Sequence, residues 1–131
     1  MPNPVIKGKV VEGIKESGSF TSLTWVREQF IAKLGIDPYP GTLNLEVAGA
    51  ELEKLGEIRK WKGIEIVPAP GFCPAKCFHV LVGGKIKGAL VVPLVSGYPE
   101  AKMEIIASEK ITDALVLKVG DLVEVRILQA N

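Results

Sequence analysis

Tyr39-Pro40-Gly41-Thr42-Leu43-Asn44-Leu45 places a tight turn directly before two neutral, oxygen-bearing side chains that stand two residues apart. Pro40-Gly41 is the turn, because proline presets its own φ and glycine accepts positive φ without a Cβ clash. The residues after it are extended. In a strand, residues two apart lie on one face roughly 6.6 to 6.8 Å from each other, so the Thr42 hydroxyl and the Asn44 carbonyl oxygen converge while Leu43 and Leu45 point into a core. Two hard oxygen donors then face one spot. Mg²⁺ prefers such ligands, keeps several waters and shares its shell with substrate phosphates. The plainer reading of the same residues is a turn followed by an ordinary strand with two polar side chains in solvent.

Outward from this turn, strand signals outnumber helix signals. Val5 to Val11 alternates around Lys7 and Lys9, and short apolar or alternating runs recur at Glu65-Ile66-Val67, Lys76 to Val82, Ala89 to Val92, Met103 to Ile106 and Leu122 to Leu128. Gly83-Gly84 reads as a hairpin turn. The pattern predicts a mainly β protein of six or seven short strands, enough for a barrel with few exposed edges. One helix is clear, Trp25 to Leu34, with Val26, Phe30, Ile31 and Leu34 on one stripe, Thr24 as cap and Gly35 as stop. Shorter helical pieces are expected at Ala50 to Leu55 and at Glu109 to Leu115, the latter capped by Ser108. Pro68 to Pro74 reads as a loop.

The 131 residues carry no repeat, linker or low-complexity tract, which predicts a single domain over residues 1–131. With 16 basic against 15 acidic residues the net charge is +1, so charge argues for neither nucleic acid nor an acidic membrane surface as partner. No apolar run approaches the roughly 18 residues of a membrane span, and Met1-Pro2-Asn3-Pro4 lacks the regions of a signal peptide. A cytoplasmic protein is expected. Only a few residues lie before Val5, which predicts no DNA-reading helix-turn-helix segment ahead of the strands. Cys73, Cys77 and His79 raise a metal hypothesis that geometry weakens, since four extended residues span about 13 Å, too far for one ion or for a disulfide. Two thiols and one imidazole also fall short of a closed zinc site. Reduced, buried or half-buried thiols and an exposed His79 are expected instead.

Gly35-Ile36-Asp37-Pro38-Tyr39-Pro40-Gly41-Thr42-Leu43-Asn44-Leu45 resembles the G-x-x-P-Y-x-G-T-L-N-L signature of the archaeal-type, CTP-dependent riboflavin kinases. Met103-Glu104-Ile105-Ile106-Ala107 resembles that family's E-I-I-A segment, and Leu117-Lys118-Val119-Gly120-Asp121-Leu122-Val123 its C-terminal L-x-x-G-D-x-V. With Gly8-Lys9-Val10-Val11-Glu12-Gly13 near the start, the matches run in the family's order over essentially the whole chain. The resemblance implies a small closed barrel of the cradle-loop type and transfer of a γ-phosphoryl group from CTP to the terminal ribityl hydroxyl of riboflavin, giving FMN and CDP. It implies Thr42 and Asn44 as Mg²⁺ ligands. It also implies Glu104 as the flavin-contacting carboxylate, able to orient the attacking hydroxyl or accept its proton, with Ser96 and Tyr98 near the flavin. On the strand, Met103 and Ile105 flank Glu104 on the opposite face.

The nucleotide segments depart from the family pattern. Its glycine-rich loop, whose backbone amides can wrap a phosphate, corresponds to Gly13-Ile14-Lys15-Glu16-Ser17-Gly18, where Lys15 and Ser17 replace two glycines. Lys15 offers a compensating charge. A second nucleotide-contacting segment corresponds to Glu109-Lys110-Ile111-Thr112, with Thr112 where the family has an arginine. A threonine cannot replace a bidentate guanidinium, though Lys110 brings charge nearby. Three functions stand as alternatives: a nucleotide-dependent riboflavin kinase, a flavin- or nucleotide-binding module on the same barrel, and a barrel used for association through Trp25 or Trp61 if their indoles are exposed.

Overall fold

The computed structural model describes residues 3–13 and 23–128. Seven strands are present: β1 (Val5–Val11), β2 (Leu43–Glu46), β3 (Ile64–Ile66), β4 (Ala75–Val82), β5 (Ile86–Pro93), β6 (Lys102–Ala107) and β7 (Leu122–Ile127). Their order in the sheet is β3-β4-β5-β6-β2-β1-β7, and every pairing is antiparallel. A further pairing of β4 with β7, Val80 against Ile127 through Val82 against Val125, closes six of the strands into a barrel. The extra strand β3 takes the other half of the same β4 edge, opposite Ala75 to Cys77.

Period-two patterning decides what fills the barrel. Ile6, Val10, Leu43, Leu45, Val80, Val82, Leu90, Met103, Ile105, Val125 and Ile127 point inward and form one buried cluster. The outward faces of β4, β5 and β6 carry a second cluster, Cys77, Ala89, Val91 and Ile106, which a helix covers. That helix, α1 (Thr24–Gln29), runs on as a π-helical segment (Phe30–Leu34) and stops at Gly35, whose φ of 70° is left-handed. Val26, Phe30 and Leu34 are buried as expected, but the wider π turn rotates Ile31 out to 48% exposure. Thr24 is not the cap: Leu23 occupies that position, and its side chain makes no capping hydrogen bond. The Gln29 side-chain amide instead docks α1 on the end of β3. It donates to the Val67 carbonyl at 2.8 Å and accepts from the Val67 amide at 2.7 Å.

Helix α2 (Ala50–Ile58) is a turn longer than its sequence pattern suggests, with Leu55 and Ile58 buried against the barrel. It also solves a hydrogen-bond deficit. β2 is four residues long and pairs with β1 only from Lys9 to Val11, so the first half of that β1 edge lacks a strand. The Glu51 carboxylate accepts the Lys7 amide at 2.9 Å, and the Lys54 ammonium donates to the Val5 carbonyl at 3.1 Å. The accepted amide holds the Glu51 carboxyl below its usual range. The last helix, α3 (Ile111–Ala114), is shorter than the predicted Glu109 to Leu115, and Lys110 rather than Ser108 precedes it as cap. Gly83 and Gly84, with φ of 58° and 71°, turn the β4–β5 hairpin; the Lys85 amide closes the turn on the Val82 carbonyl at 3.0 Å, and with Val82 paired to Ile86 the loop has three residues.

Cys73 is exposed, which corrects the expectation of two sheltered thiols, while Cys77 is fully buried on the outward face of β4. His79 is half-buried rather than exposed. Neither indole is exposed: Trp25 packs on Phe72 with centroids 5.2 Å apart, and Trp61 meets Phe78 edge-on at 6.2 Å. Among the described residues no helix is long and apolar enough to cross a membrane. Burial pushes the Cys77 thiol from 9.0 up to about 12, against a smaller opposing pull from Lys33. Because folding raises this group, the stability it contributes is complete below the unfolded thiol's value and is lost as pH rises toward the folded one. An aromatic disulfide reagent at pH 8 is therefore expected to titrate one thiol of the native protein at once and the second only on unfolding. Equal rates for both would contradict the burial of Cys77.

Candidate functional site

The mouth of the barrel lies where β1 ends and β2 begins. Gly41, with a φ of 118° that an L side chain would resist, turns the chain into β2, and the Tyr39 amide ties the turn to the end of β6 through the Ala107 carbonyl at 2.8 Å. Thr42 is half-buried and Asn44 only 4% exposed. As expected from alternation, Leu43 and Leu45 fill the barrel, so Asn44 faces the outer side. It is nevertheless covered, which alternation alone does not predict.

The Asn44 amide nitrogen donates to the Thr42 carbonyl at 3.0 Å and to the Thr42 hydroxyl oxygen at 3.1 Å. These bonds fix which way the amide is turned, since only its NH₂ end can donate to a carbonyl. The opposite end, Oδ1, is buried and accepts no hydrogen bond from any described residue. Leaving such an acceptor unpaired costs about 1–3 kcal/mol, so a buried, unsatisfied oxygen marks a place for an external partner. The Thr42 hydroxyl thus faces the amide nitrogen rather than Oδ1, which corrects the expectation that the two oxygens converge on one spot; by type, an amide oxygen and a hydroxyl oxygen are still hard donors of the kind Mg²⁺ takes.

Two adjoining cavities open here. One, of about 490 Å³, is lined by Glu12, Gly13, Thr42, Asn44, Lys110, Thr112, Leu117 and Val119 among others. The other, of about 100 Å³, is lined by Tyr39, Pro40, Gly41, Thr42 and the run Glu109 to Thr112. The structure thus brings Gly13, Lys110 and Thr112 to the same groove as Thr42 and Asn44, although they lie far apart in sequence. Ile14, Lys15, Glu16, Ser17 and Gly18 lie outside the described residues. Glu109 and Lys110 are exposed, Thr112 is half-buried, and the Ile111 side chain is buried in the barrel core, leaving its backbone to meet a ligand. Tyr39, Leu117 and Val119 also line these cavities, and residue type alone does not mark them as ligand contacts. Leu117 and Val119 fall inside the L-x-x-G-D run, which is the one signal that points to them.

Glu104 sits directly opposite Asn44 in the β2–β6 register. Met103 and Ile105 point into the barrel, so Glu104 shares the outer face with Asn44. Its carboxylate is 15% exposed and already engaged: Oε2 accepts the Tyr98 hydroxyl at 2.6 Å, and the Lys102 ammonium stands 3.9 Å from Oε1. Burial, the bond to Glu104 and the Glu104 charge all raise the Tyr98 phenol, while Arg59 pulls the other way. Tyr98 therefore stays protonated and donates. Ser96 is exposed in the turn after β5, and no hydrogen bond joins it to this group among the described residues.

Together the fold and site define a small closed β-barrel with a groove at one mouth, lined by Thr42 and Asn44, and a half-buried carboxylate, Glu104, paired opposite Asn44. A family model described as a domain of unknown function, DUF120, and named for CTP-dependent riboflavin kinases matches residues 10–127. The chain is 39% identical over 127 residues to the riboflavin kinase of Archaeoglobus fulgidus, covering 94% of this chain and 54% of that one. It is likewise 39% identical over 127 residues to the riboflavin kinase of Methanocella arvoryzae, covering 95% and 57%. Against that of Pyrobaculum aerophilum the identity is 37% over 128 residues, covering 92% and 59%. The chain belongs to the CTP-dependent riboflavin kinase family, and it spans a little over half the length of these relatives.

The Tyr98 hydroxyl is a charge-assisted donor, a class of bond that contributes about 1.5–3 kcal/mol. Tyr98→Phe is expected to lower stability at neutral pH by about 1.5 kcal/mol in urea unfolding, and by markedly less when Glu104→Ala is already present. Equal losses in both backgrounds would show that the hydroxyl does not act through Glu104.

Proposed function

We propose that this chain is a riboflavin kinase, moving the terminal phosphoryl group of a nucleoside triphosphate onto the terminal ribityl hydroxyl of riboflavin. The donor favoured by the family's name is CTP. The hydroxyl oxygen bonds to the γ-phosphorus as the bond to the β-phosphate oxygen breaks; FMN and the nucleoside diphosphate leave, with release of the hydroxyl proton. The observation that carries the reading is the buried, unsatisfied Asn44 Oδ1, with Glu104 opposite in register. Family membership supports the substrate.

Phosphoryl transfer asks a protein mainly for positioning and for positive charge over the phosphate oxygens. Mg²⁺, held by Thr42 and Asn44, supplies that charge when bound. Gly13, Lys110 and Thr112 bound the groove in which the nucleotide's phosphates lie, and Lys110 adds a mobile ammonium at its rim. Glu104 holds the ribityl hydroxyl in line and accepts its proton. Tyr98 and Lys102 restrict the carboxylate to one orientation, so that it meets the hydroxyl without reorganising. Tyr98 and Ser96 flank the flavin on the same side. The reaction is placed in the cytoplasm, where its nucleotide is available.

A second reading, a binding module that does not turn over, draws on Thr112, a neutral side chain at the rim of both cavities where an arginine would clamp a phosphate. One assay separates the two. Purified protein with Mg²⁺ and riboflavin is offered CTP, ATP, GTP or UTP separately, and products are resolved by chromatography. The kinase reading expects FMN with CTP. It also expects Asn44→Ala to reduce turnover by roughly a hundredfold or more, about 2.7 kcal/mol of transition-state stabilisation. The same variant should change folding stability by no more than about 1 kcal/mol, because losing two hydrogen bonds is offset by removing an unsatisfied oxygen. No FMN with any donor, from folded protein that still binds riboflavin, would leave the binding module.

A further inference from the structure

We infer that Gly13 is a positioning residue for the cation site, glycine there because a side chain would displace the Asn44 amide; the inference rests on the kinase reading of Thr42 and Asn44. Glycine after a first strand invites a conformational explanation, with positive φ or backbone amides exposed to a phosphate. The first does not account for this position, because Gly13 does not have a left-handed φ, in contrast to Gly41, and the second does not require that a Cβ be absent. What Gly13 lacks is room. A Cβ built on it would stand 2.1 Å from the Asn44 amide nitrogen and 2.9 Å from its Cγ, well inside van der Waals contact.

The neighbour cannot yield cheaply. Asn44 is 4% exposed, and its amide nitrogen is held by two acceptors of Thr42, at 3.0 and 3.1 Å. β1 carries Val11 directly opposite Asn44, so the next outward-facing position along the chain, Gly13, passes over the asparagine. The backbone at Gly13 is thus the lid that presses the amide onto Thr42. With the nitrogen pinned, Oδ1 is left buried and without a hydrogen-bond partner, on a residue that lines the groove together with Gly13, Thr42 and Lys110. A methyl group at residue 13 must push the amide off Thr42, and the displaced nitrogen carries Oδ1 with it. Gly13 touches no reacting atom; it acts through Asn44.

The test uses Mn²⁺ as a paramagnetic probe, titrated into the full chain with CTP and without riboflavin, and free ion counted by electron paramagnetic resonance. A parallel titration of CTP alone corrects for ion bound by free nucleotide. Gly13→Ala is expected to weaken the protein-dependent Mn²⁺ affinity by about 10–100-fold, as loss of a ligand-orienting partner does. In an Asn44→Ala background the same Gly13→Ala change should weaken it no further, since the group it displaces is gone. Urea midpoints run in parallel: Gly13→Ala lowers the midpoint in the Asn44 protein and not in the Asn44→Ala protein. If Gly13→Ala alone fails to fold, recovery of folding in the double variant supports the clash, and failure of both overturns it. Wild-type affinity in Gly13→Ala, or equal losses in the two backgrounds, overturns the inference while leaving the kinase reading intact. Absence of protein-dependent Mn²⁺ binding by the wild type would instead remove the metal reading of Thr42 and Asn44, and this inference with it.

Discussion

A barrel closes only if every strand finds partners on both edges, and the shortness of β2 sets the terms on which this one does so. β2 has four residues, bracketed by the Gly41 turn and the Gly49 cap of α2. Its upper end reaches the mouth and delivers Thr42 and Asn44; its lower end stops before the β1 edge is paired. The functional groove and the α2 seam are the two ends of one short strand. Closure between β4 and β7 then fixes the curvature that stacks Val91, Glu104, Asn44 and Val11 in one row across β5, β6, β2 and β1. The Glu104 carboxylate and the Asn44 amide thereby become neighbours through register alone.

Much of this is legible in the sequence because the signals are local. The Pro40-Gly41 turn, the alternation of Val5 to Val11 and the Gly83-Gly84 hairpin each reflect a constraint that acts within a few residues. The stop at Gly35 has the same origin. The misreadings come from packing. Ile31 fits the helical stripe, yet a π turn swings it outward; Cys73 looks like a sheltered apolar residue, yet its loop leaves it exposed. Ser108 is a good cap by type, but the chain bends at Ser108 and Glu109 and the helix begins only after Lys110.

The candidate site divides along the same line. Thr42 and Asn44 are readable from residue type and period, and Glu104 from its motif. That Asn44 is buried, that its oxygen is unsatisfied and that Gly13 lies on top of it depend on contacts between strands, which no local pattern encodes. Tyr98 is similar. The resemblance offers it as a flavin contact, whereas in the fold its hydroxyl proton is donated to Glu104, a partner six residues on that no local pattern encodes.

The seam at α2 has a consequence for how the chain tolerates change. Most of the barrel's ladder is backbone bonded to backbone, and almost any residue preserves it. Along the first half of β1 the partners are instead the side chains of Glu51 and Lys54. There the closure is written in residue identity, so drift at two surface-facing positions of a helix can reach the barrel's own hydrogen bonds. An otherwise permissive surface thus carries a hereditary weak point, and it lies at the opposite end of β2 from the groove.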